Sequence, residues 1–223
     1  MINVRRQLLK VSGLLGAFVV AATVAVMPEN AEAQRATPRP EVPVTELMKP
    51  GPLPDLVYGK ADAPVTIVEY ASMTCSACGR FHAEVLPKLK AKYIDTGKAR
   101  LVIRPFARDN LDAAAWLLTH CTMGERSYVL AGALFDRQQQ WAFTPNPLPE
   151  LLKIGKQAGF TEQAFNACVQ DAKKLGDITA IRDLAFNNFG VDSTPAFFIN
   201  GKRFPGFTLE QFEKAIDPLL PKS

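Results

Sequence analysis

Residues 65–78 read Val65-Thr66-Ile67-Val68-Glu69-Tyr70-Ala71-Ser72-Met73-Thr74-Cys75-Ser76-Ala77-Cys78. The first six are β-branched and almost continuously apolar, as in a sheet strand covered on both faces. The last four are a C-x-x-C that opens the next segment. From Cys75 to about Lys92 the pattern is helical, with Phe81, Val85, Leu86 and Leu89 on the apolar face and Pro87 expected to kink it. Arg100-Leu101-Val102-Ile103-Arg104 reads as the next strand. Strand, helix and strand make a βαβ unit, whose two strands must be parallel.

Working outward, Ala196-Phe197-Phe198-Ile199 is a strand and Asn200-Gly201 a type I′ hairpin signal. Lys202-Arg203-Phe204 should return antiparallel. Thr208 and Gln211 form a capping box for a last helix through Leu220, with Pro218 weakening its end. Between the two sheet portions, residues 107–189 show helical periodicity and little strand signal. Leu111, Ala114, Leu118 and Cys121 share one helical face; Phe165, Cys168, Val169 and Ala172 are read as another. A structureless loop of that length is not expected in a compact domain, so this is a helical insertion. The order is β-α-β, helical insertion, β-β-α, an α/β fold.

The N-terminus reads as a targeting segment. Arg5, Arg6 and Lys10 form a positive region, 11–27 is apolar apart from small residues, and Ala31-Glu32-Ala33 is an A-x-A cleavage signature. Residues 1–33 are therefore expected to be a signal peptide. An uncleaved membrane anchor is the competing reading, with 17 residues at the short end of a span. The paired arginines also fit twin-arginine export, although Val4 departs from its usual Ser or Thr. Either route leads to an oxidising compartment such as the periplasm, where disulfides persist. Residues 34–55 hold Pro38, Pro40, Pro43, Pro50, Pro52 and Pro54 and read as an extended, mobile linker. A net charge of +4 with scattered Lys and Arg gives no nucleic-acid stripe.

The chemistry lies in Cys75-Ser76-Ala77-Cys78. Two intervening residues bring both sulfurs within one helical turn. A helix N-terminus offers unpaired N–H groups and partial positive charge, which favour a thiolate at the first cysteine. A thiolate there is the nucleophile of disulfide exchange, and the second cysteine resolves the mixed disulfide. Zinc ligation is the bland alternative, but a structural site needs four ligands, and the only histidines are His82 and His120. A local structural disulfide would constrain little chain. Cys121 and Cys168 lie on apolar helix faces and are expected to form a structural disulfide, against the alternative of two buried free thiols.

The segment Glu69 to Cys78 resembles the active-site segment of DsbA-like proteins. Thr194-Pro195 before a strand resembles that family's cis-proline loop, and the resemblance runs from about Tyr58 to Leu220. It implies a thioredoxin-like core at 56–106 and 190–223 with residues 107–189 as an inserted helical subdomain. It implies that Cys75 exchanges with substrate thiols, that Cys78 is its buried partner, and that Thr194 and cis-Pro195 face a substrate peptide. Glu69 resembles the buried acid that assists proton transfer to the resolving cysteine; an exposed strand end is the alternative. His82 and His120 are expected to be ordinary helix residues, and Trp116 and Trp141 core. Ser76-Ala77 departs from the family's usual Pro-His, which bears on redox strength rather than on the chemistry. The implied function is a monomeric, exported dithiol oxidase that acts on reduced, unfolded exported proteins. The resemblance further implies a quinone-linked membrane recycling partner and no metal or organic cofactor. A reductase or isomerase of the same fold, and a non-catalytic chaperone-like binder, are the rival readings.

Overall fold

The computed structural model describes residues 41–122 and 124–221. The expected signal peptide, the expected export motif and the first part of the proline-rich stretch lie outside the described residues. Five strands form one sheet: β1 (Leu56–Tyr58), β2 (Val65–Ala71), β3 (Ala99–Pro105), β4 (Ala196–Ile199) and β5 (Lys202–Phe204). Their spatial order is β1-β3-β2-β4-β5. β2 and β3 are parallel, in register from Val65 opposite Ala99 to Ala71 opposite Pro105, and the other pairings are antiparallel. β2 is the central strand and all seven of its residues are buried.

Strand alternation assigns the two faces of β2. Ile67 and Glu69 share a face with Phe197, which lies opposite Glu69 on β4. There Phe81, Phe197 and Phe212 stack with ring centroids 4.6 to 5.7 Å apart. Val68 and Tyr70 point the other way, where Tyr70 meets Phe189 and Phe198.

Helix α1 (Val44–Leu47) precedes the sheet. The crossover from β2 to β3 runs through α2 (Ser76–Arg80), a π turn (Phe81–Val85), α3 (Leu86–Leu89) and a second π turn (Lys90–Ile94). The expected kink at Pro87 takes this form. Proline has no N–H for the i−4 carbonyl and its ring crowds that turn, so the ladder slips by one residue before it. Six helices follow: α4 (Asn110–Cys121), α5 (Glu125–Asp136), α6 (Gln138–Trp141), α7 (Pro147–Gln157), α8 (Glu162–Val169) and α9 (Ala172–Phe189). The face read across Phe165 to Ala172 is not one helix. Asp171 accepts a hydrogen bond from the Lys174 N–H and caps a new helix there. α9 ends on Gly190 in the left-handed region, φ 64°. α10 (Leu209–Ile216) opens with the Thr208–Gln211 capping box and gives way at Pro218 to a short 3-10 turn, Asp217–Leu219.

The proline-rich stretch is corrected from Val42 onward. It is packed, not mobile: Val42, Leu47 and Leu53 are buried. The Val42 N–H donates to the Gly201 carbonyl at 3.0 Å. A Cβ at Gly201 would stand 2.2 Å from the Val42 carbonyl oxygen, and φ there is +85°, so the hairpin needs glycine for both its turn and this docking. Arg104 on β3 forks onto Asp55 at 2.7 and 2.8 Å and also donates to the Leu47 and Lys49 carbonyls. Prolines remove donors from this segment; a buried arginine satisfies two of its carbonyls, and the hairpin carbonyl of Gly201 takes the Val42 N–H.

Candidate active site

Cys75 is the N-cap of α2, with extended backbone (φ −90°, ψ 116°), and its carbonyl accepts the Gly79 N–H at 3.1 Å. Cys78 lies one turn on and has no exposed surface. Both are free thiols. The two sulfurs are driven in opposite directions. The Cys75 thiol is lowered to about 4, because the Cys78 thiol donates to it and the Ala77 and Cys78 N–H groups face it, which together outweigh burial. Burial pushes Cys78 well above the usual thiol range, and its bond to Cys75 and the charge of Glu69 add to this. The Ser72 N–H also lies 3.5 Å from the Cys78 sulfur.

Thr194-Pro195 is a cis peptide, and the Thr194 carbonyl lies 3.3 Å from the Cys75 sulfur. The loop before β4 is thus brought to the first cysteine across 119 residues of sequence. Glu69 is fully buried on the face of β2 under the crossover helix. Its carboxylate oxygens stand 3.0 and 3.3 Å from His82 Nε2. His82 is therefore not an ordinary helix residue: it is 7% exposed, pairs with the buried acid and stacks on Phe135 at 3.7 Å. The helical spacing explains it, since His82 follows Cys78 by four residues and lies on the same buried face. His120 packs on Trp116 at the other end of α4 from the site, and burial lowers its pKa to about 4.

Three further side chains hold the loop before Cys75. Asp112 is fully buried near the start of α4; its two oxygens accept the Met73 N–H at 2.7 Å and the Arg108 N–H at 3.0 Å. Burial raises this carboxyl to about 6 against those bonds. Asp109 caps α4 through the Asp112 N–H and accepts the Thr74 hydroxyl at 3.0 Å. Gln138, at the start of α6, donates to the Met73 and Cys75 carbonyls, both at 2.9 Å. Asp109-Asn110-Leu111-Asp112 carries a helix-start signal, but nothing local announces its reach to Met73. Gln138 begins a run of three glutamines that reads as surface, yet it is 3% exposed.

A thioredoxin family model (Thioredoxin_4) matches residues 53–218. The crystal structure of Wolbachia pipientis alpha-DsbA1 superposes with a TM-score of 0.71 at 34% identity, over 78% of this chain and 94% of that one. The chain belongs to the DsbA-like proteins of the thioredoxin family. A Bacillus cereus protein named probable disulfide bond formation protein D is 44% identical over 173 residues, which cover 74% of this chain and 78% of that protein. A Rickettsia prowazekii protein whose name proposes a protein-disulfide oxidoreductase is 30% identical over 167 residues. The match covers 74% of this chain but only 61% of that relative's length.

In this DsbA-like protein the inserted helices do more than cover the core. α4 and α6 supply the acceptor and the donors that grip the cysteine loop. A disulfide between Cys121 and Cys168, with Cα atoms 6.2 Å apart, ties the end of α4 to α8.

Proposed function

We propose that the protein is an exported dithiol oxidase that passes the Cys75–Cys78 disulfide to thiols of reduced, unfolded exported proteins. The observation that carries this reading is the asymmetry of the two sulfurs: one at a helix N-terminus and held as thiolate, the other buried and held as thiol. A substrate thiolate attacks the Cys75 sulfur of the oxidised pair. The Cys75–Cys78 bond breaks, a substrate–Cys75 bond forms, and Cys78 leaves with the electron pair and takes up a proton. A second substrate thiolate then attacks the substrate sulfur of that mixed disulfide, and Cys75 leaves as thiolate. The substrate has lost two electrons and two protons and gained a disulfide; one proton rests on Cys78, the other has passed to solvent, and the enzyme is now reduced, with Cys75 as thiolate and Cys78 as thiol.

Glu69 is the acid placed to exchange that proton with Cys78, and its carboxylate raises the Cys78 pKa. The backbone at Thr194 and Pro195 is the edge on which an extended substrate segment pairs in strand fashion beside Cys75. A membrane redox partner would reoxidise the dithiol, and the exchange itself requires no metal or organic cofactor. We read the enzyme as a periplasmic monomer.

Incubation of the oxidised protein with a reduced, unfolded protein substrate tests this. One disulfide should appear in substrate per enzyme molecule reduced. Offered a disulfide-bearing protein instead, Cys78→Ala should trap mixed disulfides, because Cys75 attacks the disulfide and the thiol that would expel the substrate is gone, and Cys75→Ser should trap none. Scrambled-disulfide repair without net oxidation would favour an isomerase. Binding without any thiol exchange would favour a chaperone-like binder.

A further inference from the structure

α2 contains a glycine one residue after the active-site motif, and the position has ordinary helical backbone. A Cβ built on Gly79 would stand 2.7 Å from Gln138 Oε1 and 3.2 Å from its Cδ. Nothing else lies so close to it. Glycine inside a helix is less stable than alanine, so the close approach it permits has a use. That use is the seat of the Gln138 carboxamide, whose NH2 group bridges the Met73 and Cys75 carbonyls. The Met73 peptide unit is fixed on its other side by Asp112.

We infer that Gln138 is a positioning residue for Cys75, and that Gly79 is the gap that admits it. The Cys75 carbonyl is the N-cap acceptor of α2, so its orientation sets where the Cys75 sulfur stands relative to the Ala77 and Cys78 N–H groups. A second donor on that carbonyl locks the orientation. When it is lost, the N-cap residue regains freedom and the thiolate loses part of its fixed donor set. The inference rests on Cys75 being the attacking thiol.

Its test uses the full chain with three changes: Gln138→Ala, Gly79→Ala and both together. Two quantities are read in the reduced protein: the thiolate absorbance of Cys75 against pH, and the redox equilibrium with glutathione. Gln138→Ala should raise the midpoint of the Cys75 titration by about one unit, a roughly tenfold shift in the thiol–thiolate equilibrium. Gly79→Ala should shift it the same way, by pushing the carboxamide off its seat. The double variant should match Gln138→Ala alone, because the added methyl then meets no side chain. A merely structural Gln138 would lower the thermal stability of both redox forms equally and leave the titration and the glutathione equilibrium within about twofold of the parent; that result overturns the inference. An additive double variant overturns the role given to Gly79. If Gln138→Ala does not fold, Gln138→Met keeps the length without the donors, and the same two readouts decide. Mass mapping of alkylated parent protein keeps the underlying reading separate: if Cys78 is modified before Cys75, the assignment of the attacking thiol fails, whatever Gln138 does.

Discussion

The molecule holds two cysteine pairs, and they occupy opposite ends of helices. Cys75 caps the N-terminus of α2, and Cys78 lies in its first turn. Cys121 is the last residue of α4 and Cys168 the penultimate residue of α8. An N-terminus favours a thiolate and a C-terminus opposes one. The spacing differs as much: two residues stand between the first pair, whereas the second spans a separation of 47. A short loop constrains little chain entropy and a long one constrains much. Under the proposed function the same kind of bond is thus a reagent at one place and a staple at the other. The difference comes from helix polarity and loop length, not from the sulfur.

Substitution of each pair should break that symmetry most sharply. Cys75→Ser should abolish disulfide exchange and, below about pH 4 where the Cys75 thiolate no longer adds stability, leave the denaturation midpoint of the reduced protein nearly unchanged. Cys121→Ala with Cys168→Ala should do the reverse. By chain entropy the staple is worth about 4 kcal/mol, read as a lower denaturant midpoint, while Cys75 still alkylates first. Loss of exchange in the double alanine variant would show that the staple also serves the site.

A pH series sharpens the contrast. An acid whose folded pKa lies below its unfolded one adds stability that is complete above the unfolded value and lost as pH falls through the folded one. For Cys75 that window runs from 9.0 down to about 4. The reduced protein should therefore gain stability over the oxidised protein as pH rises through this range. Asp112 works in the other direction: burial raises it from 3.8 to about 6, so its contribution is present below 3.8 and lost above about 6. Asp112 sits outside the cysteine pair, so the difference between the two redox forms is read to isolate Cys75. The melting temperature of the reduced form minus that of the oxidised form, followed from pH 4 upward, should climb; a flat difference would contradict the thiolate at Cys75.

Asp112→Ala should cost about 2–3 kcal/mol, since it strands the buried Met73 and Arg108 N–H groups. The test is chemical denaturation of the oxidised protein, beside the rate of exchange.

Smaller still is the effect of the dipeptide. Ser76-Ala77 supplies no histidine, and the groups that lower the Cys75 pKa are the Cys78 thiol, the Thr194 side chain and backbone N–H groups. The reduction potential should fall between about −270 mV, as in thioredoxin, and about −120 mV, as in DsbA. Ala77→His should move it upward by about 30 mV for each 1.4 kcal/mol of added thiolate stabilisation. Equilibration in glutathione buffers reads both values. A parent potential near −120 mV that the histidine does not move would show that the backbone alone sets the poise. Thr208→Ala closes the series: loss of the capping box on α10 should cost about 1 kcal/mol and leave the potential unchanged.

What was legible in the sequence follows from how local each feature is. The β2 run, the C-x-x-C, the Asn200-Gly201 turn and the Thr208 cap are written in neighbouring residues, and each stands where its pattern places it. β1 was not legible: three residues after a run of prolines carry no periodicity, and the strand exists because β3 offers an edge. The packed 41–55 stretch was hidden for a similar reason, as its partners are Arg104 and Gly201. At the site, the cysteines were visible and their holders were not. Asp112 and Gln138 act across 39 and 63 residues on backbone atoms, which carry no residue identity to search for. His82 was the nearest miss, since a four-residue spacing from Cys78 already placed it on the buried face.

The grip of α4 and α6 on the Met73–Cys75 loop also bears on modularity. A designer who excised residues 107–189 and rejoined the ends would keep every strand and both redox cysteines. The excised piece would take with it the acceptor for the Met73 N–H and the donors for the Met73 and Cys75 carbonyls. The minimal core would present its nucleophile on a slack loop, with polar backbone opened to water. Transplanting the motif into another thioredoxin-like scaffold meets the same obstacle: the transferable unit is the four-residue motif together with a glycine, an aspartate and a glutamine drawn from three separate helices.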